Sequence, residues 1–351
     1  MTSTHAAAPL RLIQVGLGGW GQNWHANVLR PFAGVDLVGF VEPDATMREQ
    51  ARERLDVPPE RCFGTLAEAL HASDAEAVLI TASLGAHIPV ATAALEAGKH
   101  VLVEKPFAAT VEEARGVVEA AEARGLVLMV SQNYRFYPAI RATLTLLREQ
   151  VLGPVDAVTI DFRRYANINS DPATRHQALA QPLLMDMAVH HFDLMRLLLG
   201  QEPQQVSCHA WNPPWSRFVE PAAAAATIFF DGGAVVSYRG SWVSAGPPTP
   251  WAGEWQIECE RGAILMTSRA DTDLSAERVT LRPLKKTARQ IALPELPAFD
   301  RAGALDAFVR AVRTGEPPEC SGRDNLGTLW LMRAAIESAN TGEARRRRPH
   351  S

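Results

Sequence analysis

Two groups of residues in this 351-residue chain have types and spacings suited to chemistry. The first is Asp186-Met187-Ala188-Val189-His190-His191-Phe192-Asp193, inside the apolar run Leu183–Leu199. On an α-helix Asp186, His190 and Asp193 stand at i, i+4 and i+7 and share one face. An imidazole titrates near neutrality, and with a carboxylate one turn away on either side it is suited to take a proton from a hydroxyl. The same pattern also suits a buried histidine bonded to a carboxylate for packing. A metal site would need a third ligand that the spacing does not supply, so no metal is expected. His191 falls on another face and reads as structural. The second group is Glu104-Lys105-Pro106, at the end of a strand-length apolar run. The 35 lysines and arginines include only four lysines, Lys99, Lys105, Lys285 and Lys286. A lysine at a strand end hints that a compact ammonium is wanted there, although a general bias toward arginine explains the shortage equally well.

A third motif has the pattern of a phosphate cradle. Gly16-Leu17-Gly18-Gly19-Trp20-Gly21 follows the apolar run Leu12–Val15 and opens a helical segment. In such a sequence the first glycine makes a tight turn, the second lets backbone approach a pyrophosphate, and the third lets helix pack on strand. The helix start adds free N–H groups and partial positive charge. Glu42 ends the next apolar strand about 20 residues later, the offset of an acid that reads ribose hydroxyls. A carboxylate there repels a 2′-phosphate, and Pro43 and Asp44 bring no cation. NAD is therefore expected, with NADP less favoured.

Positioning these groups requires two kinds of sheet. Through the first 130 residues the strand-like runs Leu12–Val15, Leu37–Val41, Ala77–Thr81, His100–Glu104 and Leu126–Val130 alternate with helical segments such as Ala86–Glu96 and Val111–Arg124. Thr110 is placed to cap the latter, with Glu113 in capping-box position. The alternation predicts a parallel, doubly wound sheet. After Gly153-Pro154 come the strands Val155–Arg164, Val206–Trp211, Thr227–Phe230, Ala234–Val243, Glu254–Glu260 and Ala263–Thr267, several joined by glycine turns. These predict an antiparallel sheet. Helices over Asp300–Arg313 and Asp324–Asn340 follow, and the basic run Arg345–Arg348 reads as solvated and frayed. The expected division is a dinucleotide-binding domain over 1–132 and a substrate-binding and oligomerisation domain over 133–351.

Composition narrows the function class. At 47% hydrophobic and 21% charged the chain can bury two cores, which excludes a disordered tail or a stapled peptide. A formal charge of −4 without a basic, aromatic-studded stretch gives nucleic acid or an anionic membrane little to attract. Cys62, Cys208, Cys259 and Cys320 form no CxxC pair, and no apolar run approaches membrane-spanning length. A cytoplasmic protein with a small-molecule partner is expected. The tryptophans Trp211, Trp215, Trp242, Trp251 and Trp255 suit core packing or a homo-oligomer interface.

The glycine loop at 16–21, Glu42, Glu104-Lys105-Pro106, Asn133-Tyr134-Arg135-Phe136 and the Asp186/His190 pair, with Arg313-Thr314-Gly315-Glu316-Pro317 and Ser338-Ala339-Asn340-Thr341-Gly342 near the end, together resemble the Gfo/Idh/MocA family of NAD(P)-dependent sugar and cyclitol oxidoreductases. The resemblance implies an N-terminal Rossmann doubly wound parallel sheet and a C-terminal open-faced, mainly antiparallel sheet domain, assembled as a homodimer or homotetramer through the latter. It implies that Lys105 contacts the substrate hydroxyl and nicotinamide ribose, that Asp186 orients the sugar, that His190 is the acid/base, and that Lys105-Pro106 is cis. Cofactor contacts are expected from Gly16, Gly18, Gly19, Trp20, Gly21, Glu42, Thr81, His87, Glu104 and Lys105. Substrate contacts are expected from Asn133, Arg135, Arg163, Tyr165, Asp186 and His190, with Asn167, His176 and Trp211 nearby. Gln181 to Met185 and Ala188 depart from the glycines usual around the family's Asp-x-x-x-His, which bears on substrate identity. An NAD-dependent glycosidase acting by transient oxidation and elimination, and a non-catalytic NAD-binding regulator, are the alternatives.

Overall fold

The computed structural model describes residues 8–167, 176–271 and 273–348. Strand and helix alternate through β1 (Leu10–Val15), α1 (Gly19–Trp24), β2 (Val35–Val41), α2 (Ala45–Leu55), β3 (Cys62–Phe63), α3 (Leu66–Ala72), β4 (Ala77–Ile80), α4 (Leu84–Glu96), β5 (His100–Val103), α5 (Val111–Ala123) and β6 (Leu128–Val130). The six strands pair in parallel in the order β3-β2-β1-β4-β5-β6. Every residue of β4 is buried, as a strand covered on both faces must be. All five strands predicted from the apolar runs are present. The sixth, β3, is two residues long and leaves no periodic signal. Thr110 caps α5, its side chain accepting the Glu113 N–H at 3.2 Å. The strand order reverses between β1 and β4, the point where open sheets of this kind bind ligands at their carboxyl edge.

The chain continues through α6 (Pro138–Arg148), β7 (Val155–Arg163), α7 (Ala188–Leu199), β8 (Pro203–Trp211), β9 (Ala223–Phe230), β10 (Val235–Ser241), β11 (Glu254–Cys259), β12 (Gly262–Thr267), β13 (Arg278–Pro283), β14 (Arg289–Gln290), α8 (Asp300–Thr314), α9 (Gly322–Thr341) and β15 (Arg345–Arg346). The nine strands form one sheet, ordered β14-β13-β12-β11-β7-β10-β9-β8-β15. Its pairings are antiparallel except β10 with β7, so the sheet is mixed, not wholly antiparallel. Along β7 Val158, Ile160 and Phe162 are buried while their alternate neighbours face outward. α7 covers the buried face, where His191 lies 5.3 Å from Phe162 and Phe192 5.6 Å from Tyr238.

Three expectations need correction. The run Leu183–Leu199 is not one α-helix: Pro182–Met187 forms a π-helical turn before α7 begins. The wider turn shifts the helical phase, so Asp186 and Asp193 do not form the single stripe that a 3.6-residue period predicts. The basic tail does not fray through Arg347, since Arg345 and Arg346 pair with Val206 and Gln205 of β8 and Arg347 reaches Glu202 at 2.7 Å. The compact units also differ from a single cut after residue 132. One comprises Met1–Gln132 with Arg301–Leu326, the other Asn133–Asp300 with Gly327–Ser351. The returning segment is held in the first unit by the Val130 N–H on the Cys320 carbonyl at 3.0 Å and by Arg313 on Glu76 at 2.6 Å. Hydrophobic spacing identifies such a helix without saying which surface it covers.

Candidate active site

In the first unit the glycine loop leaves β1 through Gly16, whose φ of +94° favours glycine, and a Cβ there would come within 2.5 Å of Ala82 backbone. A Cβ on Gly21 would lie 1.9 Å from the Gly16 carbonyl oxygen, so helix start and turn are in contact. Gly18 and Gly19 are different: a Cβ on either meets no atom within 4 Å. The loop thus offers open space beside free helix N–H groups, and the fit to a dinucleotide pyrophosphate is good. Trp20 stands exposed with the Arg301 guanidinium 4.6 Å over its ring, a neighbour that no sequence signal announces.

Glu42, at the end of β2, turns its carboxylate to the loop and accepts from the Leu17 N–H at 2.9 Å and the Asp44 N–H at 3.3 Å. A carboxylate has about four lone-pair sites, so capacity remains for ribose hydroxyls. Pro43 and Asp44 indeed bring no cation, but Arg48 does, donating to the Glu42 carbonyl at 2.7 Å. Thr81 and His87 are engaged by protein. The Thr81 hydroxyl is 2.8 Å from the Gly16 carbonyl, and the His87 ring nitrogens lie 3.2 Å from the Ala82 carbonyl and 3.0 Å from that of Pro106. Burial holds the His87 imidazole below its ordinary range. Both residues are thereby tied to the loops at the sheet edge. Glu104 is buried, accepting from Trp24 Nε1 at 2.8 Å and from the Lys105 N–H at 3.2 Å. Lys105 itself is half-buried and its bond to Pro106 is cis.

In the second unit His190 sits near the start of α7, 5% exposed, with its ring stacked on Tyr134 at 4.0 Å and an interplanar angle of 4°. Asp186 is partly exposed, 3.7 Å from His176 Nε2, and His176 packs edge-on against Trp242. Burial pushes the Tyr134 phenol well above its ordinary range, so it stays protonated. His191 is fully buried, bonded to Tyr238 Oη at 3.2 Å and the Trp251 carbonyl at 3.0 Å, as its structural reading requires.

Most of the other expected substrate residues are engaged by protein groups. Arg135 makes two 2.6 Å bonds to Asp193, with neither side chain more than 2% exposed, and Thr328 adds a hydroxyl to the same carboxylate. Arg135, assigned by the sequence to substrate, and Asp193, assigned to flanking His190, are therefore paired with each other. Asn133 donates to Asp300. Arg163 alternates with Phe162, so it lies on the sheet face away from α7, paired with Glu254 at 2.6 Å and Asp161 at 3.2 Å. Tyr165 is exposed just past the same strand, Asn167 bonds the Trp215 carbonyl, and Trp211 is exposed. Arg269, which sequence reasoning passed over, does reach this cluster through Tyr134. Its left-handed backbone and distance in sequence leave no motif to find it by. Among the described residues no group of three or more His, Cys, Asp or Glu side chains could hold a metal.

Comparison with known proteins shows the family and the fold. Residues 10–132 match the family profile described as an oxidoreductase family with an NAD-binding Rossmann fold, and residues 140–265 match the GFO/IDH/MocA C-terminal domain. The D-apiose dehydrogenase of Paraburkholderia graminis is 26% identical over 338 residues, covering 93% of this chain and 87% of that one. The scyllo-inositol 2-dehydrogenase (NAD(+)) of Bacillus subtilis is 25% identical over 340 residues, covering 95% of each. In fold, the chain is similar to an inositol dehydrogenase homolog from Azotobacter vinelandii solved with NADH and myo-inositol, with a TM-score of 0.81, 19% identity, and 97% and 98% of the two chains covered.

Proposed function

The chain belongs to the Gfo/Idh/MocA family of oxidoreductases and is a dehydrogenase, and from that premise we propose that it moves a hydride between a secondary alcohol of a sugar, cyclitol or sugar derivative and NAD. When bound, the nicotinamide supplies the hydride acceptor or donor. In the oxidation direction His190 takes the hydroxyl proton on its imidazole, Asp186 accepts a hydrogen bond from the sugar, and the Lys105 ammonium stabilises charge growing on the alcohol oxygen. The first unit holds the cofactor and the second the substrate. The observation that carries this reading is the Gly16–Gly21 loop, closed at Gly16 and Gly21 and open at Gly18 and Gly19, with the Glu42 carboxylate turned onto it.

Glu42 supports NAD, because a carboxylate beside the ribose repels a 2′-phosphate; Arg48 is the cation through which NADP would compete. The names of the relatives, dehydrogenases of apiose and scyllo-inositol, support the substrate class. A homodimer or homotetramer through the nine-stranded sheet is supported by Phe229 and Trp211, both exposed on strands of that sheet. No described helix is long and apolar enough to cross a membrane, and no disulfide joins the four cysteines, which fits a reducing cytoplasm. The test is a panel of inositols, aldoses, amino sugars and sugar acids incubated with NAD or NADP and followed by reduced-cofactor absorbance. Reduction of NAD by a polyol is expected. Absence of reduction across the panel, or a firm preference for NADP, would contradict the reading in its substrate or cofactor part respectively.

A further inference from the structure

The Tyr134 ring is covered on one face by the His190 imidazole, 4.0 Å away and nearly parallel. The Arg269 guanidinium carbon lies 4.4 Å from the same ring centroid, and its Nη1 donates to Tyr134 Oη. Two groups this close cannot share a face, so guanidinium, phenol and imidazole form three layers. Arg269 is held in place deliberately: its φ is +65°, its N–H donates to a Glu277 carboxylate oxygen that also accepts from Ser268, and the other Glu277 oxygen accepts from the Ala139 N–H at 2.8 Å. One half-buried carboxylate thereby ties the residues after β12 to the start of α6, directly after the turn that carries Tyr134.

Resting on the reading of His190 as the proton-transfer group, we propose that Tyr134 and Arg269 are positioning residues that fix the plane of the His190 imidazole and keep it neutral, ready to accept the substrate proton. The guanidinium is charged at every relevant pH. An aromatic face attracts a cation, but with one already seated on Tyr134 a second positive charge on the opposite face is repelled. That repulsion acts on the imidazolium and leaves the neutral ring stacked. Of the other charged groups around the stack among the described residues, Asp186 on the π-helical turn and Asp300 at the start of α8 act in the opposite sense, Glu277 is turned to backbone and Ser268, and Asp193 is paired with Arg135. Charges about 8 Å apart at an effective dielectric of about 20 interact strongly enough to move a titration by about one pH unit.

The test follows the Cε1 resonance of His190 by NMR across pH in the full-length, cofactor-free protein, assigned by its loss in His190→Gln. In Arg269→Gln the His190 titration is expected to rise by about one pH unit, and in Arg269→Lys, which keeps a charge, to return toward wild type. The acid limb of the kcat/KM profile should move in step. A His190 titration unchanged in Arg269→Gln, or a lysine variant that titrates like the glutamine one, overturns the proposal. A titration that moves while the acid limb stays put leaves the Arg269 effect standing and counts against His190 as the base, so the two failures are distinguishable.

Discussion

The Arg135–Asp193 pair is the point where residue type and residue role part company. Removing one partner of a buried ion pair leaves the other charge without water or counter-charge, a loss of about 3–5 kcal/mol. Arg135→Met is therefore expected to lower the unfolding free energy by about that much in urea titrations. A substrate contact would instead leave the unfolding midpoint in place and raise KM. Sequence singled out the groups whose motifs are local: the glycines, Glu104-Lys105-Pro106, and His190 with its neighbour His191. It did not reveal the partners of Arg135, Arg163 and Asn133, because Asp193, Glu254 and Asp300 lie 58, 91 and 167 residues away. Polar residues near a motif are legible as polar; the carboxylate each one meets is a tertiary fact.

At the scale of elements, the glycine loop makes a contrast that can be measured. Gly21→Ala forces a Cβ against the Gly16 carbonyl and is expected to lower stability by about 1–3 kcal/mol as well as abolishing NAD binding. Gly18→Ala meets no protein atom, so its stability should stay within about 0.5 kcal/mol of wild type. Its NAD affinity should nevertheless fall, because the added methyl occupies the space assigned to the phosphates. Thermal melts paired with calorimetric NAD titrations separate the two, and a Gly18→Ala protein with unchanged affinity would place the cofactor elsewhere. Strand and helix periods made the five longer parallel strands legible, together with most of the second sheet. The π-helical turn at Pro182–Met187 was not, since one extra residue per turn is invisible in an apolar run, and β14 and β15 are too short to show a period.

Across the whole molecule, acid should destabilise the fold well above the range where carboxylates titrate. Burial pushes the His191 imidazole down to about 4, against an ordinary value of 6.5, and burial lowers His25, His87 and His100 in the same direction. Between those pH values the unfolded chain binds a proton that folded His191 refuses. Stability is therefore complete above pH 6.5 and falls as pH drops toward 4, by about 3 kcal/mol from this residue. Urea unfolding between pH 7 and 4.5 should show that slope, and His191→Gln should flatten it. The two-sheet architecture was legible from the change of texture near Gly153-Pro154; the return of Arg301–Leu326 to the first unit was not, being decided by the surface that helix meets. The chemistry as a whole turns on proton transfer by His190. Its most direct measurement is the turnover of His190→Ala with the best substrate of the panel, read beside NAD affinity by tryptophan fluorescence. A fall in kcat of about 10²–10⁴-fold with NAD affinity within about twofold of wild type is predicted, and a variant that turns over at the wild-type rate would contradict it.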